Sequence, residues 1–475
     1  EKAFTQRFYL YLIMTKSAEK LYMSYAVKNS EGAALMPSYI IRSMRKMFSH
    51  CLKLSYKDTA QQNSYVTIPR AANSFDNTEI AANVDEDIID SLTGGRLVGS
   101  VTSFENFAEC PLRYYLRYGV DLKEREEFTF SPVNFGVVLH AVIREVCDEI
   151  KKNGESYYLI SEEKRREMVK RSVAAITDIY QNSILKDSSR NSFMIKRMED
   201  LADRTVWAMG EQLKCGDFVP FVFEHKFNME VGDGDRKQLM SGTIDRVDIC
   251  ENGTDVYVRI IDYKTGKKDF NIVKTYYGID IQLMVYMEAA MKLVAKMRPG
   301  KNVIPAGVFY YNISDPIVSA TTESADEIED KIKGELRLKG MVNSDKDIAE
   351  KMDNTEGTSL NIPVSRKADG GFDSRRSKVM NTEQFNMLGR FVDVRAVDTA
   401  DRIAGGDIRR SPYKDGQFSS CDRCPYGAVC GFSVDLPGCN YRKLKKFDDE
   451  VLWNNIKEGV DENGKKMDTG AEERD

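Results

Sequence analysis

Apolar and polar positions along the chain change rhythm several times. Near the start, Phe8-Tyr9-Leu10-Tyr11-Leu12-Ile13-Met14 is an unbroken apolar run, followed by Thr15-Lys16-Ser17 and a second run from Leu21 to Val27. Short apolar runs bounded by polar residues predict a strand, a turn or short helix, and a second strand. From 55 to 98 the composition turns to Ser, Asn, Asp, Gln, Thr and Gly without a period, which predicts a linker over 51–98. Thr102-Ser103-Phe104-Glu105 reads as a capping box, opening a helix that carries Cys110, Tyr114 and Tyr115. A second helix is predicted over 134–152, with Gly136 and His140 one turn apart on one face and the glycine clearing space. Charged helices fill most of 161–214.

Beyond Val219 the period becomes two. Strands are predicted at 221–230, 239–250 and 256–263, then an amphipathic helix at 275–297 and a strand over Ala306–Ile313. After a mixed stretch to 380, Asn381 with Gln384 three residues on caps a helix over 382–404. The tail beyond 457 is polar and charged, and is expected to be disordered. No internal repeat is present. The domains expected are 1–50, the linker 51–98, a main domain over 99–445, and a partly disordered tail over 446–475.

Composition alters this picture in three ways. A chain of 475 residues, 42% apolar and 30% charged, can bury more than one core. Nine cysteines without a signal peptide point to a reducing compartment and a soluble, cytoplasmic protein with no membrane partner. The run Phe8–Met14 is far too short to cross a bilayer. The net charge of −5 does not advertise nucleic-acid binding. Such binding needs local basic surface, for which Lys164–Arg171, Arg375–Lys378, Arg409–Arg410 and Arg442–Lys446 are candidates, although solvated helix faces look the same. The chain opens on Glu1 in mid-pattern, so we expect the C-terminal part of something longer.

The candidate chemistry sits on the period-two segment. Asn252-Gly253 is a strong hairpin signal, and centring the turn after Gly253 sets Asp245 opposite Asp262. Lys264, two residues past Asp262, shares its face. Paired carboxylates repel by a few kcal/mol, and a divalent cation offsets that. A scattered surface hairpin would not have Val247, Ile249, Ile260 and Ile261 beside these acids. Asp-x-Lys alone is weak, since Asp121/Lys123 and Asp235/Lys237 occur by chance. Its position before a helix with Gln282 and Tyr286 at i and i+4 raises it. Glu224 is a third acid on an adjacent strand, and His140 would add a nitrogen ligand. A lone histidine is more often structural, and His225 and His50 are read that way. Carboxylates with a nearby lysine are what metal-dependent phosphodiester cleavage requires.

Cys421-x2-Cys424-x5-Cys430 is the second candidate, with Cys110 roughly 310 residues upstream. Thiolates so spaced bind zinc or an iron–sulfur cluster, and spacing does not choose between them. Cys439 is a fifth candidate, whereas Cys51, Cys147, Cys215 and Cys250 read as ordinary buried small residues.

These residues resemble a known family. Gly136-x3-His140, Glu224, Gly242-Thr243-Ile244-Asp245-Arg246-Val247-Asp248, Ile261-Asp262-Tyr263-Lys264 and Gln282-x3-Tyr286 are similar to the RecB-type branch of the PD-(D/E)XK nucleases. Ser103-Phe104-Glu105 through Cys110-Pro111-Leu112-Arg113-Tyr114-Tyr115, with Cys421 to Cys430, resembles the cysteine segments of its iron–sulfur members. The motif order resembles the B subunits of AddAB-type helicase/deoxyribonucleases. Residues 1–50 resemble the end of a superfamily 1 helicase core, with Lys16 where active helicases carry arginine.

The resemblance implies an α/β fold, a restriction-endonuclease-like core with a mixed central sheet flanked by helices. It implies Mg²⁺ at His140, Asp245 and Asp262 with Glu224 close by, and a [4Fe-4S] cluster on Cys110, Cys421, Cys424 and Cys430 acting as a staple. It further implies exonuclease action on single-stranded DNA ends, on the 5′-ended strand, for recombinational repair of double-strand breaks, in a heterodimer with an AddA-like partner. No Gly-x4-Gly-Lys-Ser/Thr loop is present, so no ATPase is expected in these residues. A free-standing RecB-like exonuclease and an inactive DNA-end-binding module stay open as alternatives.

Overall fold

In this computed structural model of the protein the described residues are 2–16, 21, 23, 25, 34–47, 83–85, 88, 98–123, 132–179, 189–231, 238–319, 324–434 and 439–472. Contacts divide the chain into two units, 1–76 and 77–475. In the first, α1 (Lys2–Thr15) and α2 (Tyr39–Met47) are helices. The strand predicted over Phe8–Met14 is therefore helical. Only Ile13 in that run is β-branched, and an unbroken apolar run carries no period to separate strand from helix. The second strand, Leu21–Val27, lies for the most part outside the described residues, and Leu21, Met23 and Tyr25 carry no strand.

The second unit begins with β1 (Val98–Ser100), α3 (Val101–Glu109), α4 (Pro111–Tyr114) and a π-helical turn, Tyr115–Gly119. Ser100, not Thr102, caps α3: its hydroxyl accepts the Ser103 N–H at 3.1 Å, and Glu105 turns elsewhere. Starting two residues early lets Val101 bury at 1% exposure. Helices α5 (Pro132–Lys152), α6 (Glu162–Ile179) and α7 (Ser189–Lys214) follow, as the charge pattern predicted. The basic run on α6 is spent on ion pairs, Lys164 with Glu155, Arg165 with Asp203, Arg171 with Glu149.

Strands β2 (Val219–Val231), β3 (Gln238–Asn252) and β4 (Asp255–Lys264) match the period-two pattern. Gly253 turns the β3–β4 hairpin at φ +60°, a left-handed conformation that favours glycine. Pairing runs from Asn252–Asp255 to Arg246–Ile261, in the predicted register. On one face, Asp248 is buried between Arg246 (2.6 Å) and Arg259 (2.8 Å), a bidentate lock on that register.

The chain continues through α8 (Ile272–Tyr276), α9 (Gln282–Met297), β5 (Asn302–Asn312), α10 (Ala325–Glu335), β6 (Lys339–Asn343), α11 (Lys346–Met352) and β7 (Val379–Met380). Helix α9 starts later than the predicted 275, because Gly278 at φ +76° interrupts the run. The sheet order is β1-β3-β4-β5-β6-β7, with β2 on β3. Pairs β1–β3, β4–β5 and β6–β7 are parallel and the others antiparallel, so the sheet is mixed. One face buries α5, α6 and α7 (Leu139, Val169, Val206) and the other α9 and α12 (Thr382–Ala404) (Leu283, Leu388). The Asn381–Gln384 capping box of α12 forms as predicted.

Strands β8 (Tyr413–Asp415), β9 (Phe418–Ser419) and β10 (Arg442–Lys443) form a small sheet, with α13 (Gly427–Cys430) between β9 and β10 in the chain. The tail expected to be disordered is instead a helix, α14 (Asp449–Glu472). Leu452 and Ile456, one turn apart, are buried against the α9–α12 core, which stabilises it. Most of the predicted linker 51–98 lies outside the described residues, but Asn83 bridges to Asp407 and Val84 N–H donates to the Gly406 carbonyl.

Candidate active site

Asp245 on β3 and Asp262 on β4 are 8% and 2% exposed. Asp245 Oδ2 accepts the Tyr263 N–H at 2.7 Å and stands 3.5 Å from His140 Nδ1 on α5. Glu224 Oε1, on β2, is 3.9 Å from that nitrogen. The ladder pairs on either side, Phe223–Arg246 and His225–Ile244, bring Glu224 beside Asp245. His140, Glu224 and Asp245 each offer a ligand atom, all within 4.8 Å of one another. Asp262 is outside that trio; its Oδ2 lies 2.5 Å from Lys264 Nζ. The third acid is thus nearer the histidine than expected, and the second is engaged by the lysine.

Glu224 has φ +48°, a left-handed backbone that strains a residue with a side chain. Such strain costs about 1–3 kcal/mol and concentrates at functional sites. Gly136, by contrast, does not decide the space near His140. A Cβ there would only reach ordinary contact with Thr265 at 3.6 Å. Gly242 does matter, because a Cβ would lie 2.7 Å from the Phe227 ring and 3.0 Å from that of Tyr286.

Electrostatics fit a cation. Burial, then the Asp245 charge, pushes Asp262 up to about 6 and raises Glu224. For His140, burial pulls the pKa down, but the Asp245 hydrogen bond and the charges of Asp245, Glu224 and Asp262 raise it overall. Two carboxylates beside one imidazole, with a third acid next to them on the lysine, form a hard, oxygen-rich donor set of the kind a divalent cation takes.

Lys264 Nζ donates to Gln282 Oε1 at 2.9 Å, and Gln282 Nε2 to the Tyr286 hydroxyl at 2.9 Å. Gln282 therefore grips the lysine, and Tyr286, one turn on along α9, holds Gln282. Sequence reasoning missed what holds α9 itself. One oxygen of Glu105, on α3, accepts the N–H groups of both Ile281 and Gln282 at 3.0 Å, closing the α9 N-terminus. Burial drives the Glu105 pKa up to about 7 although Lys268 pulls it down. Behind it, Lys268 pairs with Asp280 at 3.0 Å, and the Tyr310 hydroxyl donates to the same carboxylate at 2.7 Å. The available signal was an acid between Phe104 and Phe107 on a helix that buries both.

The four cysteines line one cavity, with Leu116, Pro412 and Phe432 among its apolar walls. Cys439 is buried but is not part of that lining. Burial raises the Cys110 thiol, opposed by backbone N–H groups of Arg113, Ser411 and Leu112 directed at its sulfur. Burial likewise raises Cys430, opposed by the Phe432 N–H. Thiols on one cavity wall, with N–H donors aimed at two of the sulfurs, are donors of the type a thiolate-ligated centre uses, while no three of them come within 4.8 Å of one another. The two ends are also tied directly. The Tyr426 hydroxyl donates to the Leu122 carbonyl at 2.9 Å, Leu112 N–H to the Arg409 carbonyl at 3.3 Å, and Arg442 to the Ala108 carbonyl. Cys147 and Cys250 are buried as expected, Cys215 is half-buried, and Cys51 and His50 lie outside the described residues.

Among the described residues no helix is long and apolar enough to cross a membrane. The chain is 31% identical to the B subunit of the ATP-dependent helicase/deoxyribonuclease of Clostridium acetobutylicum, over 98% of this chain and 45% of that protein. It is 31% identical to the protein of the same name in Caldanaerobacter subterraneus subsp. tengcongensis and 30% to that of Lachnoclostridium phytofermentans, each over 100% of this chain and 45% of the relative. The chain thus spans about half the length of these curated relatives. The family profile described as the PD-(D/E)XK nuclease superfamily matches residues 99–431, which hold the acids, the lysine and all four cavity cysteines. With a mixed sheet that presents its acids and lysine from one hairpin, the chain belongs to the PD-(D/E)XK nuclease superfamily.

Proposed function

We propose that this chain is a Mg²⁺-dependent deoxyribonuclease domain, and that its substrate is single-stranded DNA at the ends of unwound duplex. The observation that carries this reading is the placement of Lys264 Nζ 2.5 Å from Asp262, beside the His140–Glu224–Asp245 trio. His140, Asp245 and Asp262 would hold the metal, with Glu224 completing the acidic wall. Bound there, the ion supplies Lewis-acid polarisation of the scissile phosphate and a water of lowered pKa. The Tyr263 N–H fixes one Asp245 oxygen and so its orientation. Lys264, gripped by Gln282, offsets the negative charge that grows on the phosphate as the bond breaks.

Its relatives are named B subunits of an ATP-dependent helicase/deoxyribonuclease, which supports a place in a helicase–nuclease complex. An AddA-like partner, the cytoplasm and the preparation of ends for recombinational repair follow from the family resemblance. Attack on the 5′-ended strand follows from the family resemblance. The four cavity thiols would hold a [4Fe-4S] cluster. Iron in the purified protein, with the visible absorption of a cluster, supports that assignment, and stoichiometric zinc overturns it.

The purified chain is expected to degrade single-stranded DNA only when Mg²⁺ is present. Asp262→Ala should abolish degradation while the folded state persists by circular dichroism. Undiminished degradation by that variant refutes the assignment.

A further inference from the structure

One residue beyond Lys264 the chain enters the wall of a groove of about 1450 Å³. It runs between α7, the loop after β4, and the ends of β5 and β6, with Phe135 of the His140 helix at its margin. Small-molecule pockets occupy roughly 300–1,000 Å³, so the dimensions suit a polymer better than a metabolite. Eight lysines and arginines line it against four acids, in a chain whose net charge is −5. Some of that charge is neutralised, with Lys378 2.6 Å from Asp269 and Lys268 3.0 Å from Asp280. Lys196, Arg197, Lys267, Lys339 and Arg376 make no ion pair among the described residues. The groove also carries apolar side chains that water does not favour: Phe193 is 63% exposed and Ile317 fully exposed.

Unpaired cations track a phosphate backbone, and an exposed aromatic ring is a platform for an unstacked base. Bases in a duplex are stacked on one another and leave no face for Phe193. We propose that this groove is a binding site for single-stranded nucleic acid, which it delivers to Lys264 and the acids. The inference deepens the nuclease reading and rests on it for the direction of travel, but the binding itself is separable.

Fluorescence anisotropy without divalent ions measures the binding while nothing is cut. The probe is a labelled oligothymidylate about 20 nucleotides long, beyond the roughly 4–16 nucleotides that one single-strand module covers. Lys196→Ala/Lys339→Ala/Arg376→Ala is expected to bind at least tenfold more weakly than the wild type. Its log–log salt dependence should be shallower by about 2, since each single-strand phosphate contact contributes about 0.7. Phe193→Ala is expected to weaken binding several-fold with the salt slope unchanged, because a neutral ring releases no counterion. Unaltered affinity and slope in the triple variant overturn the inference, and so does a blunt duplex bound as tightly and as dependent on the three cations. A wild-type chain that binds through these cations yet never cuts with Mg²⁺ present sinks the nuclease reading and leaves the groove standing.

Discussion

Lys264 is held from two sides, by the Asp262 carboxylate at 2.5 Å and by the Gln282 carboxamide oxygen at 2.9 Å. The two holds differ in kind, because only the carboxylate carries charge. Lys264→Ala is expected to slow single-turnover cleavage by about 10²–10³-fold, the scale of one lost transition-state contact. Gln282→Ala should cost less, about tenfold, since the lysine keeps its ion pair and loses only its aim. Equal losses in the two variants would show that Gln282 does more than orient. Asp245, Asp262 and Lys264 were legible because an Asn-Gly turn fixes a hairpin register locally, and register fixes which residues share a face. Glu105 was not legible in that way. Its partners are 176 and 177 positions away, and no local pattern announces them.

Among elements, α9 is the one that aims the lysine, and two carboxyl groups set its position. Glu105 closes its N-terminus. Glu105→Ala is expected to reduce cleavage about tenfold, with Glu105→Gln recovering most of it, because the amide oxygen still accepts both N–H groups. Failure of the glutamine variant to recover would mean that charge, not capping, is what α9 needs. Further along, Asp393 of α12 hydrogen-bonds Glu288 of α9, and burial followed by that bond pushes it up to about 8. A carboxyl raised on folding stabilises the protein fully below the ordinary carboxylate range and loses that contribution as pH climbs to about 8. Asp393→Asn should therefore gain in Tm over the wild type between about pH 5 and pH 9. Parallel Tm curves would refute the pairing. Element types were legible wherever the signal is local, as in the three long strands and the α12 capping box. They were hidden where partners decide: α1 has no period, and the apolar residues Leu452, Trp453, Ile456 and Val460 of α14 pack on a core built from distant parts of the chain.

At the scale of the molecule, Cys110 and the trio Cys421, Cys424 and Cys430, far apart in sequence, meet at the thiol cavity. A cluster on these thiols would close a loop of roughly 310 residues and remove about 6 kcal/mol of unfolded-chain entropy. Cys421→Ala or Cys424→Ala is expected to lower Tm by about 10 °C and to weaken binding of DNA ends. A cluster-free variant with unchanged thermal unfolding would dispose of the staple. The cysteine spacing was readable, but not the direct ties of Tyr426 to Leu122 and of Arg442 to Ala108, which hold the two ends without any metal. Helix α3 carries Cys110 at one end and Glu105 a turn and a half before it, so the same short rod reaches the thiols and the tip of α9. Injury to the sulfur pocket would then be felt as a blunted blade. A screen scoring only undigested DNA would gather lesions from both places, and melting curves would be needed to sort them.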